Sequence, residues 1–192
     1  MAGVPRCNSL GPSVSAPARV NLRISGTYSN VLGDDQVVRV PWDAGSLLFD
    51  IESGAGDGLA DTALSSNSQA LADAASVNWD IYDLSESGND IGNGVGSDML
   101  GLGHCSARIC ALLIQNKSDS QGALVVGNAA TNKWTGFISS TGTVTLPAGS
   151  LFMVGGPNAD GMAVDGSTNF KLKLAASGGG VDYGIHWIGS SA

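Results

Sequence analysis

The chain has 192 residues and a net charge of −8, with 14% charged residues against 43% hydrophobic ones. That length supports one substantial domain with a buried core. No Lys or Arg occurs between Arg39 and Arg108, while Asp and Glu recur there, which excludes the basic stripe of a nucleic-acid binder and argues against an anionic membrane surface. Soluble domains average roughly 25% charged residues. Here Ser, Asn, Gly and Thr must dominate the surface, as in an all-β domain or in one largely covered by partners.

Residues 1–18 hold Pro5, Pro12 and Pro17 among small residues. Proline removes a backbone donor and fixes φ, so neither helix nor strand is expected, and the stretch reads as an extended N-terminal arm. The opening MAGVPRCNSLGPS has no apolar core of a signal peptide. No stretch approaches the ~18 apolar residues of a membrane span. Synthesis and maturation in the cytosol are the expectation.

From residue 19 to 192 a single β domain is expected. VNLRISG alternates Val20, Leu22 and Ile24 with Asn21, Arg23 and Ser25, a half-buried strand. QVVRVPW reads as a short strand closed by Pro41, and SLLFDIES as another. GAGDG (54–58) lacks the spacing of a dinucleotide loop and the Gly-Lys-Ser/Thr of a nucleotide loop, so it reads as a turn. Residues 59–75 are the best helical candidate, because Ala and Leu are good helix formers; a loop is the alternative, since Ser-Ser-Asn-Ser interrupts them. In Val77–Ser87, Val77, Trp79 and Ile81 fall on one face of a strand. The pairs Trp42-Asp43 and Trp79-Asp80 do not recur as propeller blades would require.

Between Ala107 and Gly189 apolar runs recur about every 8–12 residues: ARICALLIQN, GALVVGN, KWTGFIS, TVTLPAG, SLFMVG, NFKLKLAA and VDYGIHWIG. This is the signature of an antiparallel sandwich or barrel. ARICALLIQN is apolar on both faces, which marks a central strand. In the final run Tyr183, Ile185 and Trp187 share one face and Gly184, His186 and Ile188 the other.

Chemistry-bearing residues are sparse. Asp90, Asn93 and Asp98 in the Asn89–Asp98 stretch offer oxygen ligands for Ca²⁺, but not at the spacing of a helix–loop–helix site, so a plain loop is favoured. His104, Cys105 and Cys110 lack the second ligand pair of a zinc site. Cys7, Cys105 and Cys110 are not a disulfide framework; Cys105 and Cys110 pair across a turn or stay as thiols, the latter expected in a reducing compartment. His186, mid-strand with no G-x-S-x-G elbow anywhere, reads as a packed or surface histidine. Asp34-Asp35 and Asp50/Glu52 are indistinguishable from solvated carboxylates. Trp79 and Trp187 read as core rather than as a sugar platform. No catalytic residue, metal or cofactor is therefore assigned.

The order of motifs resembles a group of single-domain β proteins of tailed-phage virions. An N-L-x-I-x-G strand is matched by Asn21, Leu22, Ile24 and Gly26. A strand and Gly-rich turn is matched by LLFDIESGAGDGLAD, and S-x-x-L-A by Ser68, Leu71 and Ala72. An L-D-L segment is matched loosely by Trp79, Asp80 and Ile81. LLIQN and LVVGNAATN follow, then a V-x-x-P-G turn that departs to Val144, Pro147 and Gly149. The close is matched by Leu172, Leu174, Val181, Tyr183, Ile185, Ile188 and Gly189. The matches span nearly all of the chain after Arg19.

The resemblance implies an antiparallel jelly-roll-like β-sandwich that decorates the outside of an icosahedral capsid as a cement protein. It implies the major capsid protein as partner, self-association as a homotrimer, residence on the virion after synthesis in the host cytoplasm, and no catalysis. On that reading the arm supplies contacts to the capsid or a neighbouring subunit through Val4, Pro5, Arg6, Leu10, Pro12, Val14 and Pro17. The alternative is a glycan-binding sandwich of a head fibre or tail adhesin, which needs Trp or Tyr exposed on a flat face.

Overall fold

The computed structural model describes residues 18–32, 36–53, 59–60, 62–83, 106–117, 119–155 and 162–191. These are all-β, with no helix among them. In chain order the strands are β1 (Ala18–Leu32), β2 (Gln36–Ser53), β3 (Leu59–Ala60), β4 (Thr62–Leu71), β5 (Ser76–Asp80), β6 (Arg108–Asn116), β7 (Ala123–Gly127), β8 (Thr143–Leu146), β9 (Leu151–Gly155), β10 (Met162–Ala163), β11 (Lys171–Ser177) and β12 (Val181–Ser190).

Two antiparallel sheets form a β-sandwich. In the first, β6 is flanked by β12 on one side and by β10 and then β9 along the other, and β4 closes the far edge beside β12. The second runs β5–β11–β7–β8. Except from β7 to β8 and from β9 to β10, each successive strand after β4 changes sheet. β1, β2 and β3 make a separate sheet, with β3 parallel to the end of β2.

Period-two alternation explains the sandwich. Leu172 and Leu174 of β11, Leu124 and Val126 of β7, Ile114 of β6 and Ile185 of β12 are each at most 1% exposed, and burying one such side chain is worth roughly 1.5–3 kcal/mol. Trp79 of the second sheet meets Trp187 of the first edge to face, with centroids 5.9 Å apart at 89°. Trp79 Nε1 donates to Tyr183 Oη at 3.2 Å, so the polar tips of these two buried rings are paired with each other.

Asn116, fully buried at the end of β6, holds one end of the sandwich shut. Its Nδ2 donates to the carbonyls of Gly122 (3.0 Å) and Leu146 (2.9 Å), which stand at the mouths of β7 and β8. Beside it, the β6–β7 and β11–β12 connections cross closely. Gln121 N and Gly122 N both donate to Gly180 O, and a Cβ on Gly122 would collide with the Gly179 carbonyl.

Four expectations change. Residues 59–75 are neither helix nor loop: they contain β3 and β4, because pairing of Thr62–Leu71 with β12 and burial of Leu64 outweigh the helix propensity of Ala and Leu. QVVRVPW and SLLFDIES are one strand, β2, which passes through Pro41 instead of ending there. Among the described strands β1 alone pairs with β2 at Pro41, and an edge of this kind tolerates a residue without an N–H. KWTGFIS is not a strand. Apart from a bridge at Lys133 it is irregular, and its apolar residues pack as a cluster: Trp134 lies 5.3 Å from Phe137, which lies 5.2 Å from Phe152. Within Val77–Ser87 the strand stops at Asp80, whose Oδ1 accepts from the Tyr82 and Asp83 amides at 3.0 Å and turns the chain.

Residues 1–17, and with them Val4, Pro5, Arg6, Leu10, Pro12, Val14 and Pro17, lie outside the described residues. So do Asp34-Asp35, the 54–58 turn, the Asn89–Asp98 stretch, His104 and Cys105.

Candidate interaction surface

The inner faces of both sheets are core, so any functional surface lies on their outer faces or ends. The outer face of the β5–β11–β7–β8 sheet carries charge and hydroxyls, with Ala175 and Val125 in the row between Ser76 and Thr145. Lys171 stands opposite Asp80 and Lys173 opposite Asn78, while Thr143 and Thr145 line the far strand. Solvated charges of this kind keep a face in water.

The outer face of the β4–β12–β6–β9 sheet is different. Its register lines up Ala63, Ile188, Ala111 and Gly155 across the four strands, then Ser65, His186, Leu113 and Met153, then Gly184, Gln115 and Leu151. None of these residues carries a formal charge at neutral pH. Among the described residues charge appears at the two ends of the sheet, at Arg108, the first residue of β6, and at Asp182, which pairs with Ala70 near the start of β12, with Lys117 just beyond β6. Leu151 is 57% exposed, the most exposed large hydrophobic residue described. The Arg108 end is partly roofed: Ala60 of β3 packs with Cys110 and Ile188 in a small cluster separate from the main core. Cys110 reaches this side because β6 bulges there, between the pairs Ile188–Ala111 and Gly189–Ile109.

His186 sits within this face. Its Nδ1 shares a 2.8 Å hydrogen bond with Ser65 Oγ, and burial holds the imidazolium below its ordinary pKa of 6.5. Among the described residues no carboxylate completes a Ser–His–acid relay at this pair. The bond joins directly paired residues of β4 and β12. Asp165 is held below the ordinary carboxylate value of 3.8 by bonds from the Ser167 amide and hydroxyl and the Thr168 hydroxyl, which stabilise a turn. Among the described residues no group of three or more His, Cys, Asp or Glu is placed to hold a metal. Likewise no described helix could cross a membrane.

Tryptophan placement bears on the sugar-platform reading. Trp79, Trp134 and Trp187 are buried, as expected for the first and last, and Trp134 Nε1 is satisfied by the Ala163 carbonyl at 2.9 Å. Tyr183 is buried too. The uncharged outer face escaped sequence reading because it is assembled from four non-adjacent strands. The two-faced apolar pattern of ARICALLIQN and the apolar outward positions of SLFMVG were its visible traces.

No family model matches the chain, and no match to it is found among curated proteins or among solved structures. The likeness to phage virion proteins therefore rests on the residues quoted for it.

Proposed function

We propose that the chain is a jelly-roll decoration protein that binds the outside of an assembled phage capsid and stabilises it without catalysis. The observation that carries this reading is the strand order. β4–β12–β6–β9/β10 faces β5–β11–β7–β8, with connections that alternate between the sheets, as two interlocked Greek keys do. The order of motifs in the sequence supports the virion assignment, and the broad uncharged outer face supports a role in protein contact.

A protein of this kind works by mass action. It binds lattice contacts that exist only in the assembled shell and so favours assembly over separated subunits. Several copies joined in one oligomer, a homotrimer on this reading, bind as a unit through their effective concentration. The major capsid protein is the partner, and the acidic balance of the chain keeps neighbouring particles apart.

The test is addition of the purified chain to heads that lack it. It should co-sediment with expanded heads, raise their temperature of disruption, and ignore unassembled capsid subunits. Heads that neither bind the chain nor gain stability would overturn the proposal.

A further inference from the structure

We infer that Asn116 and Tyr183 hold a buried water between them, which completes a hydrogen-bonded chain from the middle of the core to the closed end of the sandwich. Asn116 is 0% exposed and Tyr183 2%. Asn116 Nδ2 gives its two protons to the carbonyls of Gly122 and Leu146. The other branch of the same amide, Oδ1, is buried and has no hydrogen-bond partner among the described residues. Exchanging the two branches is no remedy, because it would set an oxygen against two carbonyl oxygens. Oδ1 therefore needs a donor, since a buried acceptor without one is costly.

The paired strand has a proton to offer. An indole N–H can only donate, so the Tyr183 oxygen must accept in its 3.2 Å bond with Trp79 Nε1. The Tyr183 hydroxyl proton then needs a separate acceptor, and among the described residues the hydroxyl has no second hydrogen bond. Burial pushes this phenol above 10.0, against the smaller opposing effect of the Trp79 bond. The proton is thus present at neutral pH. One buried acceptor lacks a donor, and one buried donor lacks an acceptor.

Register brings the two groups together. Tyr183 of β12 is paired with Asn116 of β6. Lys117 N donates to Asp182 O on β12, while Asn116 N turns the other way, to Ser150 O. Asn116 and Tyr183 are therefore a non-hydrogen-bonded pair, the narrow kind, with Cα atoms about 4.5 Å apart and side chains on one face. That face is the interior. The phenol is the longer side chain and ends against Trp79, whereas the amide ends at the mouths of β7 and β8. A water that takes the Tyr183 proton and gives one of its own to Oδ1, at about 2.8 Å to each, bridges groups about 4.5–5 Å apart. Two fixed polar partners suffice to hold it.

The chain of bonds then runs in one direction. Trp79 donates to Tyr183, Tyr183 to the water, the water to Asn116, and Asn116 to Gly122 and Leu146. It crosses from β5 to β12 and β6 and returns to the mouths of β7 and β8, so it ties the two sheets together. Leu112 and Ile114 fill the preceding inward positions of β6, and alternation puts position 116 inside as well. A completed polar chain explains why that position holds an asparagine. None of this depends on what the outer faces bind.

High-resolution crystal structures of the full chain and of Tyr183→Phe test the water directly. The wild type should show one density peak within hydrogen-bonding distance of both Tyr183 Oη and Asn116 Oδ1, and Tyr183→Phe should lose it. No peak in the wild type, a direct bond from Tyr183 to Asn116, or a peak that persists in Tyr183→Phe overturns the inference. Denaturation in solution adds a second reading. Tyr183→Phe should lower the folding equilibrium constant about 10-fold, and should cost little once Asn116→Leu has removed the acceptor. Equal costs in the two backgrounds would contradict a shared water. Should Asn116→Leu fail to fold, the two crystal structures decide.

Discussion

The two outer faces of the sandwich are built by one alternating pattern and differ in what occupies the outward positions. On β5, β11 and β8 those positions hold Asp80, Lys171, Lys173, Thr143 and Thr145. On β4, β12, β6 and β9 they hold Ala63, Ile188, Leu113, Met153 and Leu151, with the uncharged polar Ser65, His186 and Gln115 among them. Alternation needs only that one face be apolar, so an outward face without charge and with Ile188, Leu113, Met153 and Leu151 on it is not a requirement of folding. It has to be explained by what covers it. On the proposed reading, the second sheet is finished by water and the first by a protein partner.

Substitutions can separate what both sheets share from what only one possesses. The largest loss should come from the shared interior. Trp187→Ala removes the ring that meets Trp79 and should cost about 3–5 kcal/mol, read as a fall in the denaturant midpoint. Asn116→Leu breaks both carbonyl contacts at the closed end and should cost about 2–3 kcal/mol, since two buried acceptors lose their donor. Neither effect depends on oligomeric state.

The outer faces should then part company. Leu113→Asp with Leu151→Asp should leave the unfolding free energy of the isolated domain within about 1 kcal/mol yet abolish binding to heads or to other copies in a co-sedimentation assay. Lys173→Glu with Thr145→Asp, matched for change on the other sheet, should leave binding intact. Equal losses from both pairs would erase the distinction.

Smaller effects follow from titration. Burial raises the Tyr183 phenol above 10.0. The unfolded chain therefore loses that proton first, and stability should fall as pH rises above 10; Tyr183→Phe should flatten that alkaline limb in a pH series of denaturation curves. His186 has the opposite sign. Its folded pKa lies below 6.5, so its contribution is complete above pH 6.5 and declines as pH falls below it, because the unfolded chain takes up the proton more readily. Since His186 is central in the uncharged face, acidification should weaken partner binding more than it weakens the fold. His186→Gln, which keeps a hydrogen-bonding group for Ser65, should remove that dependence.

The sandwich was legible where alternation is strong. Leu172 and Leu174 against Lys171 and Lys173, and Tyr183, Ile185 and Trp187 against their neighbours, take the sides their spacing indicates. It was illegible where a residue's preference opposes its partners. Ala63, Leu64 and Ala70 favour a helix in isolation, and only the register with β12 makes them a strand. Trp134 and Phe137 mimic a strand by apolar spacing while packing from an irregular segment. β10, two residues long, has no periodicity to find. The candidate surface was harder still, because Ile188, Leu113 and Met153 are neighbours only through pairings between strands distant in sequence. Assignment to a capsid came from resemblance, not from these patterns.

Cryo-electron microscopy of phage heads decorated with the purified chain tests the proposed capsid role most directly. The expected map places the sandwich outside the shell in a fixed number of copies per capsomer. The β4–β12–β6–β9 face should be covered by neighbouring protein, with Lys171 and Lys173 turned to solvent. Heads without this density, or copies seated on the shell through the lysine-bearing face with the other bare, would contradict it.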